Sequence, residues 1–186
     1  MPQPLGVKLT RMLMKIIIEI VLGIVMLFAG HTFWQLSKRK RFLKAAIQTP
    51  ELLESLISRE ILSSPPPHLL VYVQNSKLGY ALNIKCVLDA DRASQRQVFI
   101  FSVFIIIAIL LGSYFMGFVY LAINIAVFLI PMFEPISPSA KTNALEQILT
   151  IGLILHQWRI DNAKACDEFV KRAWSLRPLY DFVRRF

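Results

Sequence analysis

The sequence predicts a mainly α-helical integral membrane protein: one N-terminal transmembrane helix, a transmembrane helical hairpin, a small extramembrane helix with a β-hairpin, and an amphipathic C-terminal helix. Three observations predict this fold class. Hydrophobic residues make up 55% of the 186 residues, above the share of roughly 45–50% in soluble domains. Charged residues make up only 18%, and none lies between Arg96 and Glu134. A membrane span needs so long an uncharged apolar stretch, whereas a soluble core does not.

Composition and charge also exclude several classes of protein. The high apolar content rules out a disordered or collagen-like chain. Cys86 and Cys166 stand alone without a CxxC motif, so neither a disulfide framework nor a zinc module is indicated. The formal net charge of +9 comes from basic residues that flank the apolar segments. The anionic membrane surface and the positive-inside rule explain these residues, and we therefore expect no nucleic-acid partner.

Residues 1–15 form a basic N-terminal tail, and residues 16–37 are predicted to form the first transmembrane helix. A signal peptide is the alternative, because it also combines a basic start with an apolar stretch. The apolar run covers about 19 residues, however, where a signal sequence usually has about 7–15, and no small-x-small site precedes the next basic cluster. Phe33 and Trp34 at its end are typical of an interfacial anchor. We therefore expect a retained helix.

A basic cluster follows the first span and is predicted to lie at the membrane surface. It consists of Lys38, Arg39, Lys40, Arg41 and Lys44. Fewer cations precede the span, and positive charge is enriched on the cytoplasmic side of membrane helices. We therefore expect a multi-pass protein with its N-terminus outside and its basic loops on the cytoplasmic or equivalent side. A nucleic-acid or phosphoinositide site is the alternative interpretation of this cluster.

The region 38–97 is predicted to lie outside the membrane and to begin with a helix over residues 50–62. Thr49 as N-cap, Pro50 at the first helical position and Glu51 in the first turn favour that start. The proline-rich sequence SSPPP that follows is typical of a stiff spacer and ends the helix.

A β-hairpin is predicted over residues 69–88. Two runs rich in Val, Tyr, Ile and Leu lie on either side of the polar loop 75–79, which is the composition of two strands joined by a turn. An isolated hairpin is marginally stable in water, so it would pack on the preceding helix, on the membrane surface or on another chain.

The apolar segment 98–133 is too long for one upright span. As a single helix it would extend about 54 Å, whereas the hydrocarbon core measures about 30 Å. One strongly tilted helix, or one span followed by an interfacial helix, are alternatives. A helical hairpin that turns near residues 112–117 places both flanking basic regions on one side, as the positive-inside rule favours. We therefore predict a transmembrane hairpin.

The region 134–186 is predicted to form an amphipathic helix and a basic tail. Asn143 as N-cap, with Glu146 three residues later, resembles a capping box and predicts the start of the helix. Apolar residues then recur at alternating spacings of three and four, as in a short coiled-coil seam. Six seam residues are predicted to bind a partner: Ile148, Ile151, Leu155, Trp158, Asn162 and Phe169.

Two polar residues lie within the predicted membrane segments. Glu19 and Asn124 are predicted to make intramembrane polar contacts, because an uncompensated polar group in lipid is costly. Proton or ion handling is the alternative role for Glu19, and a substrate or ion contact is the alternative for Asn124. The scattered histidines, His31, His68 and His156, form no metal-ligand motif, so no metal and no cofactor is predicted. A single axial haem ligand at His31 is the alternative left open.

No nucleophile–base pair, phosphate-binding loop or metalloenzyme motif occurs in the sequence, so an enzyme is not expected. The pattern predicts a non-catalytic accessory or structural subunit, or an assembly factor, of a larger membrane protein complex. Its partners would be the lipid bilayer and other membrane protein subunits. A membrane-shaping or lipid-binding hairpin protein, and a subunit of an oligomeric transporter or channel, are the alternatives.

Overall fold

The computed structural model describes residues 5–76, 79–116 and 118–186, and every regular element in these ranges is helical. The α-helices are α1 (Leu5–Gln48), α2 (Pro50–Leu56), α3 (Arg59–Ser63), α4 (Pro67–Ser76), α5 (Tyr80–Met116), α6 (Phe118–Leu129), α7 (Pro138–Arg172) and α8 (Arg177–Val183). Short 3-10 helices cover Ile130–Met132 and Trp174–Leu176. The predicted mainly α-helical class is confirmed.

The chain forms two compact units. The first, the apolar unit, comprises the chain up to Gln35 together with Gln95–Pro135. The second, the helical domain, comprises Leu36–Ser94 and Ile136–Phe186. The long helices α1 and α5 each contribute residues to both units.

Two helices are long and apolar enough to cross a membrane, Met12–Gln48 and Tyr80–Leu111. In the apolar unit many of their exposed side chains are apolar, among them Phe28 and Leu111. A third apolar helix, Val119–Met132, is shorter and extends about 21 Å, less than the hydrocarbon core of about 30 Å. So much exposed apolar surface suits lipid or other apolar helices better than water.

The apolar unit packs around Met26 of α1, which is fully buried. Ile105 and Ile109 of α5 pack against it, and so does Phe128 of α6. The two arms of the segment predicted as a hairpin therefore meet in one cluster, as a helical hairpin requires. Helix α5 stays helical through most of the predicted turn, to Met116, and the glycine between α5 and α6 lies outside the described residues.

Helices α1 and α6 approach each other closely at Gly30. A Cβ atom at this position would lie 2.4 Å from the carbonyl oxygen of Phe128, which is backbone and cannot move aside. Only glycine allows this separation of the two helices. At Gly23, two turns earlier on α1, no atom lies within 4 Å of such a Cβ, so the constraint is local.

The core of the helical domain is built around the first half of α7. Ile148, Ile151, Ile154 and Leu155 are fully buried there. Their spacing of three and four places them on one helical stripe. Helix α7 packs against α4 and α8, and α8 also packs against α2, so the stripe is enclosed by its own chain.

Helix α7 begins earlier than predicted. The hydroxyl of Ser137 accepts a hydrogen bond from the backbone N–H of Ala140 at 3.3 Å, and Pro138 occupies the first turn. The predicted start at Asn143 is wrong, because a Ser-Pro pair is a stronger start signal than an asparagine already inside the helix.

The predicted β-hairpin over residues 69–88 is also wrong. Residues 69–76 belong to α4 and residues 80–88 form the first turns of α5, while residues 77 and 78 lie outside the described part of the chain. Leu69 and Val73 on α4, and Tyr80 and Ile84 on α5, are buried in the core. Each pair is four residues apart, which is the helical period and not the strand period of two. The β-branched and aromatic composition suggested strands, where such residues are enriched. The same residues also fill helical cores, as they do here.

The predicted helix over residues 50–62 is divided in two. Thr49, Pro50 and Glu51 occupy the predicted start, although the Thr49 hydroxyl donates to the Ala45 carbonyl and does not cap α2. The helix breaks at Ile57, whose side chain is fully buried in the core. The next residue then acts as the N-cap of α3.

Candidate functional site

Three of the predicted partner-binding residues are buried by other residues of this chain. Ile148, Ile151 and Leu155 are fully buried among α2, α7 and α8 of the helical domain. The predicted role of these three residues in docking is therefore corrected to a role in the core. Their apolar periodicity is the same for both roles, so the sequence alone did not separate them. Partner binding elsewhere on this domain stays a prediction.

The two aromatic seam residues also have partners within the chain. The Trp158 ring stacks on Tyr80 with centroids 5.4 Å apart, and its centroid lies 5.0 Å from that of Phe169. The Tyr80 hydroxyl donates a hydrogen bond to the Asp161 carboxylate. Burial, with this carboxylate beside it, raises the pKa of Tyr80 to about 12. The hydroxyl therefore stays protonated at neutral pH and holds α5 against α7.

Asn162, the remaining predicted partner residue, has a structural role. Its backbone leaves the helical region, with φ −158° and ψ 84°, and kinks α7. Its side-chain oxygen accepts a hydrogen bond from the backbone N–H of Ala165 at 3.1 Å. Asn162 therefore acts as an N-cap for the second half of α7, which explains a polar residue in an otherwise apolar seam. Its side chain is exposed.

The basic cluster after the first span divides into two environments. Lys40, Arg41 and Lys44 are exposed and can face headgroups or water, while Lys38 is partly exposed. Arg39 differs, because its guanidinium pairs with the buried carboxylate of Asp91 on α5. The predicted membrane-surface role of Arg39 is corrected to an ion pair inside the helical domain.

The two residues predicted to make intramembrane polar contacts have different environments. Asn124 is buried, and its amide donates to the Tyr120 carbonyl one turn earlier at 3.0 Å. This bond lies within α6. Glu19 on α1 is half-buried, and its polar contact stays a prediction. The spacing of four between Tyr120 and Asn124 was the available signal.

Polar contacts also close one end of the apolar unit. His31 Nδ1 lies 2.9 Å from a Glu134 carboxylate oxygen. The Gln35 amide donates to the Pro135 carbonyl at 3.1 Å, and the Trp34 indole donates to the Phe128 carbonyl at 3.3 Å. These bonds hold α1 against α6 and the residues that follow it. Among the described residues, no group of three or more His, Cys, Asp or Glu side chains could hold a metal ion.

No protein-family model, no curated protein and no solved structure matches this chain.

A cavity of about 800 Å³ lies within the helical domain, between α1, α4, α5 and α7. Its polar wall carries amide side chains from three helices together with one carboxylate and one guanidinium: Asn75, Asn83, Asn143, Gln147, Glu146 and Arg39. Leu69, Val87 and Ile154 supply apolar surface. The volume falls within the range of about 300–1,000 Å³ for small-molecule sites. Sequence reasoning missed the cavity because its walls come from distant parts of the chain.

The two cysteines differ in a way that a thiol reagent can measure. Cys86 is exposed and lines the cavity, whereas Cys166 is fully buried, and burial raises the pKa of its thiol to about 12. The thiolate is the reactive form. At pH 8 we expect a maleimide to label Cys86 alone, as measured by peptide mass spectrometry. Labelling of both cysteines should require urea, and equal labelling rates in the folded protein would contradict the burial of Cys166.

Proposed function

We propose that this protein is a non-catalytic accessory or structural subunit, or an assembly factor, of a larger membrane protein complex. The observation that carries the proposal is an exposed tryptophan on the helical domain. Trp174 lies on the short 3-10 helix between α7 and α8, and 74% of its surface is accessible. An indole left so exposed is costly in water and is a frequent anchor of protein interfaces.

A groove of about 290 Å³ adjoins Trp174. Its charged and aromatic walls are Asp167, Lys171, Arg177, Tyr180, Asp181 and Arg184. Interface hot spots are enriched in tryptophan, tyrosine and arginine, surrounded by a polar rim. The groove therefore has the composition of an anchor site for a partner protein.

The charges of the groove favour a protein partner over a bare lipid surface. Arg177 and Asp181 form a loose ion pair at 3.9 Å, and the Tyr180 hydroxyl donates to Asp167. Two carboxylates and three cations line the groove, and a protein surface can present complementary charges of both signs.

The apolar unit supplies the second half of the proposal. Its exposed apolar residues on α1 and α5 can contact lipid or the membrane helices of other subunits. The close approach at Gly30 and the Trp34 bond to the Phe128 carbonyl hold α1 and α6 together without a partner. The partner would then assemble with a preformed membrane anchor.

Mild-detergent extraction of the tagged full chain, followed by sizing and mass spectrometry of co-migrating proteins, tests this proposal. We expect a discrete assembly with fixed partners. Trp174→Ala should reduce recovery of those partners at least tenfold, because loss of an anchor residue costs about 2 kcal/mol or more. The matched control is Leu82→Ala, since Leu82 is 69% exposed and does not line the groove.

Two outcomes would count against this assignment. Extraction of the protein as a lone or self-associated species would overturn the accessory-subunit proposal. Recovery of the same partners at the same level with Trp174→Ala would retain that proposal but exclude the groove as the partner site.

A further inference from the structure

The cavity of the helical domain contains a buried acceptor that its own chain leaves unsatisfied. Gln147 lines the cavity, and its Oε1 atom is buried and accepts no hydrogen bond from any described residue. Buried polar atoms are nearly always paired, so an unpaired one inside a cavity points to a donor that the chain does not supply. A hydroxyl or N–H group of a ligand would supply it.

The charges around the cavity limit what that ligand can be. Arg39 contributes a positive charge to the cavity lining, and its ion pair with Asp91 neutralises that charge. Glu146 adds one negative charge. The wall therefore offers no net positive charge to an anion, and its remaining polar groups include uncharged amides that both donate and accept. A neutral ligand with hydroxyl or amide groups matches this lining.

Part of the cavity lining is apolar. Leu69, Val87 and Ile154 line it together with the ring of Tyr72. A cavity lined by both amide and hydrocarbon side chains fits a molecule with a polar head and a short apolar tail. A sugar alone would leave the apolar side chains without a partner, and a hydrocarbon alone would leave Gln147 unpaired.

We propose that this cavity binds a small uncharged amphiphile whose hydroxyl groups donate to Gln147 and whose tail lies against Ile154 and Val87. The proposal concerns the cavity alone and does not depend on the partner complex proposed above. Either a membrane lipid of this chemistry or a soluble molecule from the surrounding water could be the source.

Cys86 offers a direct readout because it is exposed and lines the cavity. The probe is monohexanoylglycerol, which carries two free hydroxyls on a short chain, added to the full chain in phosphatidylcholine vesicles. Its binding should slow the labelling of Cys86 by a maleimide in a saturable way. Hexanoate has the same tail with an anionic head, and we expect at least tenfold weaker protection from it.

A diacylglycerol placed in the vesicle bilayer separates the two sources. Protection by the bilayer lipid indicates that the cavity admits a membrane amphiphile. Protection by monohexanoylglycerol without protection by the bilayer lipid indicates a soluble ligand. Both outcomes support an amphiphile site.

Gln147→Leu separates binding from structure. Removing the unpaired acceptor should leave the thermal midpoint of the empty domain unchanged or raised, because no hydrogen bond is lost. The same change should weaken protection by monohexanoylglycerol about tenfold. Gln157→Leu is the matched control on α7, since Gln157 bonds to Asp161 and does not line the cavity. We expect this variant to bind the probe as the wild type does.

Ala90→Trp provides a second variant that should fold, because Ala90 is exposed at the cavity wall. The indole should fill the cavity and abolish probe-dependent protection of Cys86, compared within that variant with and without probe. The proposal is overturned by absence of saturable protection in the wild type, by equal protection from hexanoate, or by wild-type protection in Gln147→Leu.

Discussion

Replacing Asp91 with alanine is expected to lower the free energy of unfolding of the helical domain by about 3–5 kcal/mol. Only 5% of the Asp91 side chain and 17% of the Arg39 side chain are exposed. Arg39 Nε lies 2.8 Å from Asp91 Oδ2, and Arg39 Nη2 pairs with the other carboxylate oxygen. The substitution leaves the guanidinium largely removed from water without its counter-charge, and that desolvation is the cost.

Urea unfolding of the detergent-solubilised full chain measures the effect, with pulse alkylation of the buried Cys166 thiol as a reporter of the helical domain. Asp89→Ala is the matched control on the same helix. Asp89 pairs with Arg92 at 3.1 Å, but their side chains are 50% and 69% exposed. Exposed pairs contribute only about 0–1 kcal/mol, so this control should unfold near the wild type.

A double substitution tests the cause of the Asp91 effect. Arg39→Met combined with Asp91→Leu removes both charges and keeps the apolar volume, so it should recover most of the lost stability. If Asp91→Ala and Asp89→Ala unfold at the same urea concentration, the buried pair does not stabilise the domain.

The location of the apolar helices could be predicted from sequence because their signal is local. The uncharged stretch between Arg96 and Glu134 and the apolar run that ends at Trp34 both lie in helices of the apolar unit. Length and hydrophobicity alone indicate such segments. How closely α1 and α6 approach at Gly30 could not be predicted, because it depends on which backbone atoms face each other.

The β-hairpin wrongly predicted over residues 69–88 shows that composition alone does not distinguish a strand from a buried helix. Leu69 and Val73 are four residues apart, as are Tyr80 and Ile84, and both pairs are buried. The helical period was therefore present in the sequence. The β-branched and aromatic residues around these pairs have high strand propensity and therefore favoured a strand interpretation. The helical spacing of the buried pairs was the more informative signal. Burial against α7 decided between the two, and burial is a tertiary property.

A candidate site could be predicted only where a single residue is unusual for the sequence around it. Glu19 and Asn124 stand out as polar residues in apolar sequence, and Asn124 is buried with its amide bonded to the Tyr120 carbonyl. The cavity offered no such signal, since Arg39 and Gln147, which both line it, are more than a hundred residues apart in sequence. Neither residue is unusual for its own helix.

Leu155→Ala is expected to destabilise the helical domain by about 2–5 kcal/mol, the usual cost of truncating a fully buried leucine. Leu155 has no exposed surface and packs within the core of the helical domain. The loss combines the transfer free energy of the removed carbons with the cavity that they leave. Pulse proteolysis across a urea series measures the change. Ile160→Ala is the control on the same helix, because Ile160 is 66% exposed and should shift stability by no more than about 0.5 kcal/mol.

Comparing Leu155→Ala with Trp174→Ala distinguishes a core residue from a docking residue. If Leu155 stabilises the core, the folded fraction of Leu155→Ala should retain the partners of the wild type, and partner recovery should fall only in proportion to unfolding. Trp174→Ala should do the reverse, losing partners while its unfolding free energy stays within about 0.5 kcal/mol of the wild type, because its side chain is exposed. Normal stability of Leu155→Ala combined with loss of partners would mean that Leu155 faces a partner after all. The periodic apolar seam of α7 would then be an interface, as its spacing first suggested.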